Sequence, residues 1–376
     1  MSEIWNDFAA EFPVRRNVVY LNHAGVSPLC RPAAEAMKQI AEECCQSGAL
    51  HADRWLAVYQ GLREAAAQLI GSTAGEIAVV KNTSEGISTI ANGIAWKAGD
   101  RVVAFQEEFP SNWLPWRNLE HRGVQVTWLP ATASLDQIDE AARGARLLAI
   151  SYVQYLSGYR ANLEAIGEIC ERRNVFFFVD AIQGLGIIPL DVNRSRIHAL
   201  AADGHKWLMG PEGCGILYVR STVQYQVKPT EIGWMSVGSY NDFEARDLTL
   251  RADAARYECG SLNTIGCYGL RAAIEFVNRV GVARMGAAVR GLADRVSGEL
   301  TRHAFEMCGV RTPENAAGIV SFRKPGEGPR ETVRHLQSRG FLAAERRGWV
   351  RVSPHFYIPP SDIDNLIQVL LETAAV

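Results

Sequence analysis

The feature that most constrains this chain is an alternation, held from about residue 75 to 220, between short β-rich runs and helical patterns. The runs fall at 77–80, 101–105, 124–128, 147–151, 175–179 and 215–219. Between them, 85–94 places Ile87, Ile90, Ala91 and Ile94 at i, i+3, i+4, i+7 spacing, the stripe of a helix that buries one side. Most of the runs are almost continuously apolar, so both faces of the sheet must be covered. Strands separated by helices run parallel, because a parallel connection needs a crossover. The pattern therefore predicts an α/β fold on a large, doubly wound, mostly parallel sheet.

Beyond about Gly266 the pattern changes. Helices are expected at 268–280, 283–303 and 330–339, and β-rich runs at 318–322 and 349–353. A last helix is expected over 361–373 with Ser361 as its cap. At 376 residues the chain exceeds the usual size of one compact unit. We expect a large domain over 20–265 and a smaller α+β domain made of 1–19 and 266–376.

Charge excludes some partners. With 39 basic and 41 acidic residues the net charge is −2, which builds no field for nucleic acid or an anionic membrane surface. No run approaches the roughly 18 apolar residues of a membrane span. Residues 1–8 lack a basic stretch followed by an apolar one, so no export signal is read there and a cytoplasmic location is expected. The eight cysteines (30, 44, 45, 170, 214, 259, 267 and 308) show no C-x-x-C and no metal spacing, which fits reduced thiols. Asn82-Thr83-Ser84 matches a glycosylation sequon, without consequence in such a protein.

The chemistry concentrates at predicted strand ends. Asp180 ends the buried run 175–179, and Lys206 follows in Asp203-Gly204-His205-Lys206-Trp207. An acid leaving a buried strand and a lysine on a later loop are what pyridoxal phosphate requires. The lysine forms a Schiff base with the aldehyde, and the acid keeps the pyridine nitrogen protonated. Thr83 and Ser84 open the helix after 77–80, where backbone N–H groups and hydroxyls suit a phosphate, although plain capping gives the same pattern. Phe109 follows 101–105 and either covers a planar ring or plugs the core. Gln183 lies three residues past Asp180, within reach of the cofactor's phenolic oxygen. Arg351 leaves the run 349–353, where a guanidinium can grip a carboxylate in bidentate fashion or merely face solvent. Ser261 is a loop hydroxyl with no signal of its own. All but Arg351 and Ser261 fall at the carboxyl edge of the sheet, where open α/β folds bind ligands.

With these motifs the chain resembles the class V aminotransferase family of fold-type I pyridoxal phosphate enzymes. That group includes cysteine desulfurases, selenocysteine lyases, isopenicillin N epimerase and kynureninase. The likeness runs from Val19-Tyr20-Leu21-Asn22-His23-Ala24-Gly25, through Asp180-x-x-Gln183 and Gly204-His205-Lys206, to Arg351-Val352-Ser353-Pro354-His355-Phe356-Tyr357. It implies that Lys206 is the Schiff-base lysine and proton shuttle, Asp180 the pyridinium partner and Gln183 the phenolate contact. It further implies that Thr83, Ser84 and His205 bind phosphate and that Arg351 binds the substrate α-carboxylate. The family's homodimer would bring Ser261 to the neighbouring subunit's phosphate.

Two departures stand out. Phe109 occupies the place where many relatives stack a histidine. Between Ser321 and Arg351 there is no cysteine, where desulfurases carry a persulfide-forming one; the nearest upstream is Cys308. An enzyme that removes the Cα proton of an amino acid is therefore expected, with aminotransferase and β-eliminating C–S lyase equally open. Epimerisation and a catalytically silent binding protein are the alternatives. Arg346 and Arg347, just before Arg351, form either a second anionic subsite or a solvated turn.

Overall fold

The computed structural model describes residues 4–372; the expectations touching 1–3 and 373–376 lie outside the described residues. A two-residue strand β1 (Val19–Tyr20) comes first. It is followed by β2 (Ile77–Val80), β3 (Arg101–Phe105), β4 (Gln125–Leu129), β5 (Leu147–Ser151), β6 (Phe176–Asp180), β7 (Ala199–Asp203) and β8 (Gly215–Val219). These last seven form one sheet in the order β2-β8-β7-β6-β5-β3-β4. All run parallel except β8, which lies antiparallel between β2 and β7.

The sheet is apolar on both faces, as the continuous runs require. Along each strand, alternate side chains enter two separate cores, the consequence of a period of two. Val103, Leu148, Phe177, Val179, Leu200 and Ile216 belong to one core. Val102, Leu147, Phe176, Phe178, Ala201 and Leu217 belong to the other. Ala52–Ile70, Leu163–Arg173 and Thr264–Val280 cover the first face, and Thr83–Gly93 packs on the second.

β7 is absent from the sequence expectation because Ala-Leu-Ala-Ala-Asp is poor in the branched and aromatic residues that mark strands. Its small side chains let the helix approach closely. A Cβ added at Gly86 would sit 2.7 Å from the Cβ of Ala201. The helix itself starts two residues before the expected 85–94, because Asn82 and not Thr83 or Ser84 caps it, accepting from the Glu85 N–H.

C-terminal to this sheet lie β9 (Glu306–Met307), β10 (Val320–Arg323), β11 (Phe341–Leu342), β12 (Ala344–Arg346) and β13 (Trp349–Val352). A four-stranded antiparallel sheet has the order β12-β13-β10-β9. β1 pairs in parallel with β11, joining the N-terminal segment to this region. Phe12 stacks on Tyr357 with centroids 3.8 Å apart, and Phe8 packs edge-on to Phe276 and Phe356. The last helix is Pro360–Glu372, so Ser361 lies in its first turn rather than at its cap. Among the described residues no helix is long and apolar enough to cross a membrane.

Candidate active site

The parallel strands place the loops after β2, β3, β5, β6 and β7 along one edge, where they enclose a cavity of about 510 Å³. Thr83, Ser84, Phe109, Asp180, Gln183, His205, Lys206 and Arg351 all line it. Ser261 does not. It lies exposed on an adjoining cleft, which shares only Gly213 with the main cavity.

Lys206 is held by a tight loop between β7 and β8. The Gly204 N–H donates to the Cys214 carbonyl at 3.0 Å, and the Met209 N–H donates to the Lys206 carbonyl at 2.9 Å. Glycine is needed at 204 because a Cβ there would stand 2.5 Å from Leu270 Cδ1 and 2.9 Å from the Cys214 oxygen. Burial pushes the Lys206 amine down from 10.5 to about 8; Asp180 opposes the shift, and Arg351 and Arg346 add to it. Its Nζ lies 5.7 Å from the centre of the Phe109 ring. That ring is itself 45 % exposed and stands edge-on to Tyr155.

Asp180 ends β6 and is buried, with one oxygen accepting the Ile182 N–H at 3.1 Å. Burial raises its carboxyl to about 6, against the backbone donor and the nearby Lys206 charge. Gln183 donates from Nε2 to the Ala24 carbonyl and accepts from Trp207 Nε1, both at 3.0 Å. This fixes which end of the amide faces which neighbour. Thr83 Oγ1 accepts the Asp203 N–H at 2.9 Å, tying the helix N-terminus to β7. Ser84 Oγ lies 2.7 Å from Ser111 Oγ. His205 Nδ1 is 3.1 Å from Asp203 Oδ2, without the alignment of a hydrogen bond.

Arg351 comes from the other sheet. On β13 it stands opposite Ser321 and Ala344, and its Nη1 donates to the Tyr155 carbonyl at 2.8 Å. The residue is buried, and among the described residues its Nε has no hydrogen-bond partner. Burial, followed by the charge of Arg346, lowers its pKa to about 10.

The Aminotransferase class-V family profile matches residues 19–366. The chain belongs to the class V aminotransferase family. It is 29% identical to a probable cysteine desulfurase of Methanothermobacter thermautotrophicus, over 98% of both chains. It is 26% identical to an uncharacterized aminotransferase of Bacillus subtilis, over 95% of both. Among solved structures it resembles the apo cysteine desulfurase of Thermococcus onnurineus NA1, with TM-score 0.91, 26% identity, and coverage of 98% of this chain and 97% of that one.

The class V fold-type I enzymes use pyridoxal 5'-phosphate, and this cavity fits it. A carboxyl, an amine and an aromatic face converge there with a helix N-terminus carrying two hydroxyls. Arg351 Nε is a buried donor without a hydrogen-bond partner among the described residues, as expected of a group that faces an anionic ligand.

The sequence reading missed Ser151 and Tyr155, which line the cavity, and Glu108 behind them. Glu108 accepts from the N–H and the hydroxyl of Ser151, the residue in register with Asp180. Burial, with some help from Asp180, raises Glu108 to about 7. A strand ending in Ser was visible in the sequence. Which of Glu107 and Glu108 turns inward was not. Cys308 is half-buried, and its N–H donates to the Ser321 carbonyl; it does not line the cavity.

Proposed function

We propose that this class V enzyme is a β-eliminating C–S lyase that works without a cysteine relay. The observation that carries this reading is the cavity lining: Lys206, Asp180 and Arg351 are present, and among the described residues no cysteine is. Similarity to proteins named as cysteine desulfurases supports a sulfur-bearing amino acid as substrate.

In this reading Arg351 grips the α-carboxylate, its unpartnered Nε and one Nη offering a planar fork. Thr83, Ser84 and His205 would bind the cofactor phosphate, Gln183 would contact the ring oxygen, Phe109 would cover the ring face, and Asp180 would hold the ring nitrogen's proton. When bound, pyridoxal phosphate supplies a sink for the electron pair left at Cα. Lys206, whose amine burial holds below its ordinary value in the cofactor-free protein, would take the Cα proton and return it. With the pair at Cα free to form a Cα=Cβ bond, the Cβ–S bond would break and its electrons would leave on sulfur.

Ser261 belongs to a second site in this reading: the chain pairs with a copy of itself, and Ser261 reaches that copy's phosphate. Its position outside the cavity supports this, as do the exposed Tyr225, Ile232, Trp234, Phe243 and Leu248 in a single stretch. We read the division into 20–265 and 1–19 plus 266–376 as two domains. The eight free cysteines support a reducing, cytoplasmic setting.

The deciding experiment incubates the loaded enzyme with cysteine, cystine and a panel of other amino acids, and follows sulfur products, ammonia, keto acid and aminated cofactor separately. Matched release of sulfur product, ammonia and keto acid supports the lyase. Keto acid with aminated cofactor and no ammonia makes the chain an aminotransferase. Inverted substrate makes it an epimerase, and no conversion at all favours the binding-protein alternative.

A further inference from the structure

Arg346 lines the same cavity as Arg351, and Arg347 does not. The register explains the difference. In the β12–β13 pair, Ala344 faces Arg351 and Arg346 faces Trp349, so residues 344, 346, 349 and 351 share one face of the sheet. Arg347 lies in the turn, with φ 51°. The two arginines are thus diagonal neighbours on one face, and that face forms a wall of the cavity.

A third arginine near that wall shows what a satisfied cation looks like here. Arg323 sits 3.9 Å from the centre of the Trp349 ring, donates to the Gly348 carbonyl at 2.6 Å and lies 3.7 Å from Glu306. Arg346 has neither an aromatic ring stacked on it nor an acid paired with it among the described residues. It donates to the backbone carbonyl of its neighbour Glu345 at 2.9 Å. The Glu345 side chain projects from the opposite face and is taken up by the Gly348 N–H and by Arg330.

Three cations, Lys206, Arg351 and Arg346, therefore converge on one space. Its acids are Asp180, Asp203 (3.1 Å from His205) and the exposed Glu212. A cofactor phosphate held by Thr83, Ser84 and His205 leaves the two arginines to other anions. We infer that the substrate is a sulfur-bearing α-amino acid whose side chain carries a carboxylate beyond the sulfur, with Arg351 on the α-carboxylate and Arg346 on the side-chain anion. This rests on the proposed placement of the α-carboxylate at Arg351.

The test measures binding of two unreactive probes, succinate and butyrate, to the cofactor-loaded protein by calorimetry. It compares the parent with Arg346→Ala, Arg347→Gln and Arg351→Lys. Because Arg346 is exposed, its ion pair is partly screened, and succinate should bind the parent only about fivefold to tenfold more tightly than butyrate. Arg346→Ala should erase that preference by weakening succinate alone, and Arg347→Gln should leave both probes unchanged. KM values for acidic against neutral amino acids should follow the same pattern. A parent with no preference for succinate overturns the inference. So does an Arg346→Ala variant that weakens both probes alike, which would put Arg346 on the α-carboxylate. If Arg351→Lys leaves both probes unchanged, the placement of the α-carboxylate fails instead, and the two failures are told apart.

Discussion

Replacing Lys206 with methionine should make the cofactor-free protein more stable at neutral pH. The amine is held at about 8 against an ordinary 10.5, chiefly by burial. At ~1.4 kcal/mol per tenfold change in proton affinity, the charged amine then costs the fold on the order of 3 kcal/mol. Its folded pKa is depressed, so the unfolded chain binds the proton more tightly. The cost is complete below about pH 8, fades between about 8 and 10.5, and is gone above that range. Asp180 loses its counter-charge in the variant and becomes harder to ionise, which removes part of the gain. A net stabilisation of about 1–3 kcal/mol is expected at pH 6.5, shrinking by pH 9.5. Urea unfolding of parent and variant at both pH values measures it. A variant no more stable than the parent at pH 6.5 refutes the argument. A gain that persists unchanged at pH 9.5 refutes its electrostatic cause and leaves simple apolar packing.

Asp180→Ala should retain covalently attached cofactor, visible as its absorbance, while turnover falls by about a hundredfold or more, since the protonated ring is lost; near-parent turnover would remove Asp180 from its role. Cys308→Ser should leave turnover intact in a folded, cofactor-loaded protein, and a dead but loaded variant would restore a persulfide mechanism. Arg351→Lys keeps the charge but loses the planar fork, so KM for amino acids should rise by about tenfold, while amines without a carboxylate stay unaffected. Gly86→Ala should destabilise the protein by about 1–3 kcal/mol, because its Cβ would meet that of Ala201 at 2.7 Å; an unchanged unfolding midpoint would mean that the helix shifts freely.

The large sheet was legible because continuous apolar runs can satisfy two cores at once, as the split of Phe176 and Phe177 to opposite faces demonstrates. β7 was not, since alanines chosen for close helix packing carry no strand signal. The reversal of β8 was equally hidden: a five-residue apolar run reads the same in either direction. Asp180 and Phe109 could be picked out because each follows a recognisable run, and Lys206 because it stands in the Asp203-Gly204-His205-Lys206-Trp207 motif although its own strand was not seen. Tyr155 and Glu108 could not, because they enter through a loop course and a side-chain rotation that no local pattern encodes. Arg346 and Arg347 looked equivalent in sequence. Only the pairing of β12 with β13 separates the one that faces the cavity from the one in the turn.

The reversed strand also accounts for how the lysine is held. Had β8 run parallel to β7, the connection would have needed a crossover of a dozen or more residues. Running antiparallel, it pairs Asp203 directly with Gly215, so the loop carrying Lys206 starts and ends on adjacent, fully buried strands. Inside the loop, Trp207 is completely buried and donates to Gln183, which in turn donates to Ala24. The Ala24 N–H donates to Ser353 Oγ at 2.9 Å, two residues past Arg351. One buried hydrogen-bond chain thus runs from beside the lysine to Ser353, the residue that follows the strand bearing Arg351. A loop restrained at both ends and bonded through its centre spends little entropy in presenting its amine, which is what a base that must meet one proton at one carbon requires.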